Sequence, residues 1–361
     1  MNRSMNVRAV RSPALHRSWI AACAVSVVLL GLARDPQASW AGSSERTGTS
    51  GANELRIEVG PRSTALGGTT VADVAGAEAL FWNPAGLAGL GGTQAYFTHV
   101  NYIADMKLNY FAIATRAGDF GEIGFSAKVL GVGDILVTTE QAPDGTGDVL
   151  SPTFTTLGLT YARRFTDRVR FGATGQVISE KVGQVGASGV GFDFGFQYDT
   201  GYRGLTFGVC MKNFGPAMSF NGPGFELGLP IPDAEPGSPN RTLQAASSSF
   251  ELPSYFQLGA AYNLYAENQN QLRLLGSFTN NNFVPDELRG GAEYSYRDVF
   301  ALRAGYGQRV SNSNDDLYSG LSFGAGLKVP LGGSNLHFDY SNRVVSKFFD
   351  DTQEFAVRLG F

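Results

Sequence analysis

Cysteine and histidine are nearly missing from this 361-residue chain, which holds two cysteines (Cys23 and Cys210) and three histidines (His16, His99 and His337). Cys23 and His16 fall in an amino-terminal leader, so one thiol and two imidazoles remain. One thiol makes no internal disulfide and no cysteine zinc cluster, and two histidines are too few for a histidine-based metal centre. No metal and no cofactor are expected. The catalytic signatures are missing too: there is no Gly-x-Ser-x-Gly elbow, no Walker loop and no His-Glu-x-x-His. These gaps argue against an enzyme. Charged residues make up only 17% of the chain. Without a basic surface, nucleic acid is not an expected partner. Outside residues 19–33, no apolar run approaches the roughly 20 residues of a spanning helix.

Arg3, Arg8, Arg11 and Arg17 precede that one apolar run, and Ser39-Trp40-Ala41 follows it. A charged start, an apolar stretch too short for an anchor and a small-residue cleavage site make residues 1–41 a secretory signal peptide. Ile20-Ala21-Ala22-Cys23 has the outline of a lipoprotein box, but its cysteine lies inside the apolar run rather than after it. The leader holds five arginines and one acid. The remainder therefore carries 23 basic and 31 acidic residues, a net charge of −8.

What the chain has in quantity is glycine (47) and phenylalanine (26), and their placement is periodic. In residues 353–361, Phe355, Val357, Leu359 and Phe361 share one face of an extended strand; Ala356, Arg358 and Gly360 share the other. The same alternation recurs in Ile123, Phe125, Ala127 and Val129 against Glu122, Gly124, Ser126 and Lys128. It recurs again in Phe192, Phe194 and Phe196 against Asp193, Gly195 and Gln197. The stretch 106–116 is the exception, with apolar residues on both faces. Fourteen strands are expected, near 94–102, 106–116, 121–131, 153–164, 169–182, 188–200, 203–213, 251–264, 270–280, 286–296, 298–310, 317–330, 334–344 and 353–361. Connections after even strands are short, and the two longest, 132–152 and 214–250, follow odd strands. Short turns on one side and long loops on the other mark an outer-membrane barrel and put both termini on the periplasmic side. The fold class expected is all-β: a transmembrane antiparallel β-barrel of about 14 strands, spanning residues 94–361, with an amino-terminal hatch or plug.

The alternation sorts the polar residues. Glu122, Lys128, Arg170, Asp193, Lys212, Arg303, Asp339 and Arg358 are expected to face the lumen, among Gln176, Gln197, Asp199, Arg273, Glu293, Lys328 and His337. Mixed charge of this kind needs no special function. In a wet interior Asp193→Asn should be tolerated, whereas Phe194→Arg on the lipid face should not. The terminal Phe361 is expected to be the assembly signal read by the barrel assembly machinery, with outer-membrane lipids around the finished barrel. Acid pairs Asp315/Asp316 and Asp350/Asp351 are expected in external loops, where solvated charge accounts for them.

Residues 42–93 precede the sheet. A flexible Ser/Gly/Thr-rich lead gives way to Gly67-Gly68, a short alanine-rich helix over 71–80, and a turn at Asn83-Pro84-Ala85-Gly86. Proline removes a donor and holds the residue before it out of the helical region. Small residues permit close backbone contact, so this stretch is expected inside the barrel, against inward glycines 191, 195, 208, 305 and 307, with Ala85 near Gly195 or Gly305. A buried irregular segment would then need its peptide groups paired by inward polar side chains. A cap that merely leads into the first strand is the alternative.

Arg62-Ser63-Thr64-Ala65-Leu66-Gly67-Gly68, with Leu80-Phe81-Trp82-Asn83-Pro84-Ala85-Gly86-Leu87-Ala88, resembles the amino-terminal region of FadL-like outer-membrane proteins, whose Asn-Pro-Ala hatch plugs the barrel. Residues 98–110, Thr-His-Val-Asn-Tyr-Ile-Ala-Asp-Met-Lys-Leu-Asn-Tyr, resemble the PorV/PorQ branch of that superfamily. Relatives often carry paired acids before Asn-Pro-Ala, where this chain has Asp73-Val74-Ala75-Gly76-Ala77-Glu78. The PorV/PorQ resemblance implies a non-enzymatic role in protein export or surface attachment, with secreted proteins or other secretion components as partners. The FadL resemblance implies the alternative, a channel for uptake of hydrophobic small molecules.

Overall fold

The computed structural model describes residue 46 and residues 48–229, 241–267, 269–310 and 317–361; the leader, residues 1–41, and the pair Asp315/Asp316 lie outside the described residues. Within them, fourteen strands form a closed barrel: β1 Thr93–Asn101, β2 Lys107–Arg116, β3 Glu122–Gly131, β4 Thr153–Arg164, β5 Val169–Val182, β6 Val185–Asp199 and β7 Thr206–Phe214, followed by β8 Tyr255–Glu267, β9 Asn270–Asn281, β10 Glu287–Tyr296, β11 Phe300–Arg309, β12 Tyr318–Leu331, β13 Ser334–Val345 and β14 Thr352–Gly360. Every neighbour is antiparallel to the next in sequence, and the ring shuts where β1 meets β14, with Gln94 opposite Gly360 and Asn101 opposite Gln353. Closure leaves no sheet edge unpaired, the condition for a sheet to sit in lipid.

Alternation along each strand sets the two faces. Phe125, Phe194, Phe323 and Phe355 are exposed on the outside, while Ser126, Asp193, Ser322 and Glu354 are buried within. An apolar outside around a polar inside is the inverse of a soluble protein and belongs in a bilayer. Strand β2 is apolar on both faces for a specific reason. Its inward Leu108, Tyr110, Ala112 and Ala114 belong to a hydrophobic cluster inside the barrel, and its outward Phe111 and Ile113 are exposed.

Two strand starts fall later than the alternation suggests. Strand β7 begins at Thr206 rather than 203, because Arg203 takes a φ of 47° in a turn closed by Leu205 N–H on the Tyr202 carbonyl. Strand β8 begins at Tyr255 rather than 251, just after Pro253, which has no N–H for a ladder.

The long loop 132–152 and the segments 215–229 and 241–254 share one end of the barrel; the turns 165–168 and 332–333 lie at the other. Phe361 is at the short-turn end, where its N–H and carbonyl pair with Thr93 at 3.0 and 2.9 Å. Arg46 is at the long-loop end, its guanidinium 2.6 Å from Glu251. The expectation that both termini share one end thus fails for the described residues. Between Arg46 and Thr93 the chain passes through the barrel.

Candidate functional site

The lumen is where sequence-distant groups meet, because residues 52–91 thread it from one end to the other. At the long-loop end Ala52 and Leu55 pack with Ile178 of β5, with Met218 beyond β7 and with Leu252 ahead of β8. Lys128 of β3 donates to the carbonyls of Glu54 and Ile57 at 2.8 and 2.6 Å. A short helix, Pro61–Ala65, follows, with proline in its first turn where the missing N–H costs nothing. Gly67 and Gly68 then turn the chain at φ 70° and 75°, a region open to glycine. The expected helix over 71–80 is instead broken into 3-10 turns at Thr70–Ala72 and Gly76–Glu78 and one helical turn, Ala79–Trp82. Gly76, at φ 71°, interrupts it.

Asn83 locks the lower half. Its side-chain amide lies 2.6 Å from the Val71 carbonyl, 3.3 Å from Phe196 O on β6 and 3.4 Å from Val209 O on β7, while its Oδ1 accepts the Ala85 N–H at 3.1 Å. Pro84 opens the 3-10 turn Pro84–Gly89. Gly86 packs so close to the Val74 carbonyl that a Cβ there would lie 2.1 Å from it. The strands make room with glycines of their own. A Cβ on Gly195 would lie 2.0 Å from Asn83 Oδ1 and 3.0 Å from Ala85 N; on Gly208, 2.3 Å from Val71 O; on Gly305, 2.3 Å from Gly67 N. So Ala85 sits by Gly195, and Gly305 faces Leu66–Gly67 instead. Gly191 and Gly307 meet only the side chains of Gln176 and Arg289. Gly172 and Gly291, not singled out from sequence, lie against Pro84 and Leu66.

Peptide groups of the inner segment are satisfied by inward side chains. Gln197 donates to the carbonyls of Val71 and Val74, Gln257 to Gly68, Ser322 to Ala65 and Lys212 to Phe81. Lys212 and Lys128 also flank the Phe81 ring, their Nζ atoms 3.8 and 4.8 Å from its centroid.

The lumen has two unlike halves. Toward β1–β4 it is apolar: Leu80, Phe81 and Trp82 pack against Tyr96, Val100, Leu108, Tyr110 and Leu130. Toward β9–β14 it is ionic. Arg62 reaches Asp73 and Glu293 at 2.8 and 3.0 Å; Arg303 reaches Glu293 and Asp339 at 2.7 and 2.5 Å. Nearer the long loops, Glu58 takes Arg289 and Arg343 at 2.5 and 3.1 Å. The inner segment's share of this network, Glu58, Arg62 and Asp73, went unnoticed in the sequence. Alternation says nothing of a segment without strands; the signal available was its acids and arginine, a match for inward arginines and acids.

Glu122 stands opposite Arg116 in the β2–β3 register, and Arg170 lies by Gly89. Arg358 contacts the ring of His337 at 3.2 Å. Asp193, 2% exposed, accepts the Asn213 N–H at 2.7 Å and lies 3.9 Å from Lys212 Nζ. The expectation of a freely replaceable acid at 193 assumed a wet lumen, whereas here Asp193 is buried and the space beside it is a cavity of only about 30 Å³. The Phe361 ring is 61% exposed on the outer surface. Residues 98–110 run along β1 and β2, where Tyr102, Met106 and Tyr110 line the apolar half.

No family model and no curated protein matches the chain by sequence. Solved structures match by fold. The CymD monoaromatic hydrocarbon channel aligns with a TM-score of 0.54 at 15% identity, over 84% of this chain and 98% of that one. A Pseudomonas aeruginosa FadL homologue gives 0.52 at 13%, over 84% and 98%. The Ralstonia pickettii toluene transporter TbuX gives 0.50 at 14%, over 83% and 97%. At such identity the likeness is one of fold: a barrel of the same kind.

Proposed function

We propose that this protein is an outer-membrane channel for uptake of small hydrophobic molecules, closed in this state by its own amino-terminal segment acting as a hatch. The observation that carries the reading is the apolar half of the lumen. A water-filled pore is lined by polar groups, yet here aromatic and aliphatic side chains of β1–β3 line one side and meet Leu80, Phe81 and Trp82 of the hatch. The opposite side of the hatch is held by ion pairs through Arg62, Asp73 and Glu58. Movement of the apolar side, with the ionic side as anchor, would open a greasy path for a greasy solute. The three solved structures, two of them named for hydrocarbons, support this reading. The export role implied by residues 98–110 has no counterpart among them.

In this reading the short turns face the periplasm, the long loops face outward, and the barrel assembly machinery inserts the chain. The test is uptake of radiolabelled toluene by cells with intact lipopolysaccharide, since bare phospholipid barely retains an aromatic hydrocarbon. Cells making the protein should take up toluene faster than cells without it, and a sugar-sized polar tracer no faster. Equal gain for the polar tracer, or no gain for toluene, would overturn the reading.

A further inference from the structure

At the short-turn end a cavity of about 320 Å³ opens beneath the hatch, walled by hatch backbone at 75–76 and 89–91, by Gln94, and by Lys328, His337 and Arg358. Its size is that of a small-ligand site. The three basic residues form a row across adjacent strands: Lys328 of β12 stands opposite His337 of β13, which stands opposite Arg358 of β14. The Arg358 guanidinium donates to the His337 ring, which as an acceptor is neutral, so the row carries two cations, at 328 and 358.

Charges elsewhere in the lumen answer one another. Arg303 has Glu293 and Asp339, Arg62 has Asp73 and Glu293, and Arg289 has Glu58 and Glu287. The row at 328, 337 and 358 breaks that pattern. Arg358 has only the His337 ring as a side-chain partner among the described residues. Lys328 is 2.5 Å from Asp298, whose carboxylate is 86% exposed outside the cavity, a pair of little energetic weight. Asp339, the next inward residue on β13, is taken by Arg303. Gln94 accepts the Ala77 N–H through Oε1 at 3.1 Å, so its NH₂ is the end left to donate. The cavity thus offers cationic and neutral donors and no acid of its own.

We propose that this cavity is a binding site for a compact oxyanion, a carboxylate or phosphate group, held by Arg358 and Lys328 with Gln94 and His337 beside them. A planar guanidinium takes either group in a two-pronged contact. Ala75, Gly76, Gly89 and Gly91 bring short side chains or none to the walls, so polar contacts come from Arg358, Lys328 and Gln94. The site stands on charge and shape at the inner mouth and holds whether or not the barrel conducts hydrocarbons.

Calorimetric titration of the folded full-length mature barrel in detergent tests it, with inorganic phosphate and benzoate as probes and benzyl alcohol as the uncharged control. Saturable one-site binding is expected for at least one anion, none for benzyl alcohol. Affinity should fall at least tenfold in Arg358→Gln and in Lys328→Gln, and stay unchanged in Lys107→Gln, an exposed charge at the other end. Binding of phosphate alone assigns a phosphate-type ligand, of benzoate alone a carboxylate, and of both the shared oxyanion chemistry. Lys328→Gln serves if Arg358→Gln fails to fold, as judged by heat-modifiable mobility. No saturable binding, or equal weakening by Lys107→Gln, would overturn the proposal.

Discussion

At the scale of single residues, the lumen glycines act through what they lack. Gly195 and Gly305 leave room for hatch backbone that a methyl group would strike, at 2.0 Å from Asn83 Oδ1 and 2.3 Å from Gly67 N. Gly195→Ala and Gly305→Ala should each lower stability by about 1–3 kcal/mol, the usual cost of overpacking. Gly290→Ala, where nothing lies within 4 Å, is the control and should be close to neutral. Thermal loss of the heat-modifiable form ranks the three. Asp193→Asn belongs beside them. It keeps an acceptor for the Asn213 N–H but leaves the buried Lys212 ammonium without its ion pair, and breaking such a pair costs about 3–5 kcal/mol. A stability loss below about 1 kcal/mol would show that water reaches this site.

At the scale of elements, β6 shows how one strand serves two solvents. Phe192, Phe194 and Phe196 face outward, and Asp193, Gly195 and Gln197 face the hatch. Phe194→Arg should cost roughly 2–4 kcal/mol if the site lies near the bilayer midplane, falling toward zero nearer an interface. Folding titrations into lipid vesicles give the number. The inner segment is an element of another kind, a chain of short helical turns joined by irregular backbone. Asn83 ties it to β6 and β7, so Asn83→Ala should remove those ties and leave the buried Ala85 N–H unpaired, at about 1–3 kcal/mol. Proteolysis between residues 60 and 92 should quicken in that variant. Unchanged protection would mean that the ion pairs at Arg62 and Glu58 hold the hatch without it.

At the scale of the whole molecule, the seam that closes the ring pairs eight residues of β1 with β14 and runs on to Phe361. Phe361 extends the β1–β14 seam by two backbone hydrogen bonds to Thr93, and its ring stands on the outer surface. Deleting Phe361 should reduce the yield of heat-modifiable barrel in membranes, with aggregated or degraded chain in its place. Normal yield would remove both the seam and an assembly role from the argument. The threading of residues 52–91 also decides which groups meet. Glu58 and Arg289 are 231 positions apart in sequence and 2.5 Å apart in space.

Read alone, the sequence determined the number of barrel strands, nearly all their boundaries and the facing of their side chains. It could do so because a strand's period is two and the two solvents differ so sharply that each residue declares its side. It also determined that Asn83, Pro84 and the glycines around them form a turn, since proline and glycine restrict the backbone locally. Only the tertiary structure decided what the inward residues touch. The apolar inner face of β2 reads as a flaw in the pattern until Leu80, Phe81 and Trp82 lie against it. Whether Asp193 is wet or buried depends on whether the lumen is filled, and no local period reports that. The basic row of Lys328, His337 and Arg358 is equally hidden, because these residues become neighbours through strand register, which is fixed by pairing across the barrel. Alternation is a property of one strand, whereas a site belongs to several, and their meeting is set by closure and by the segment packed within.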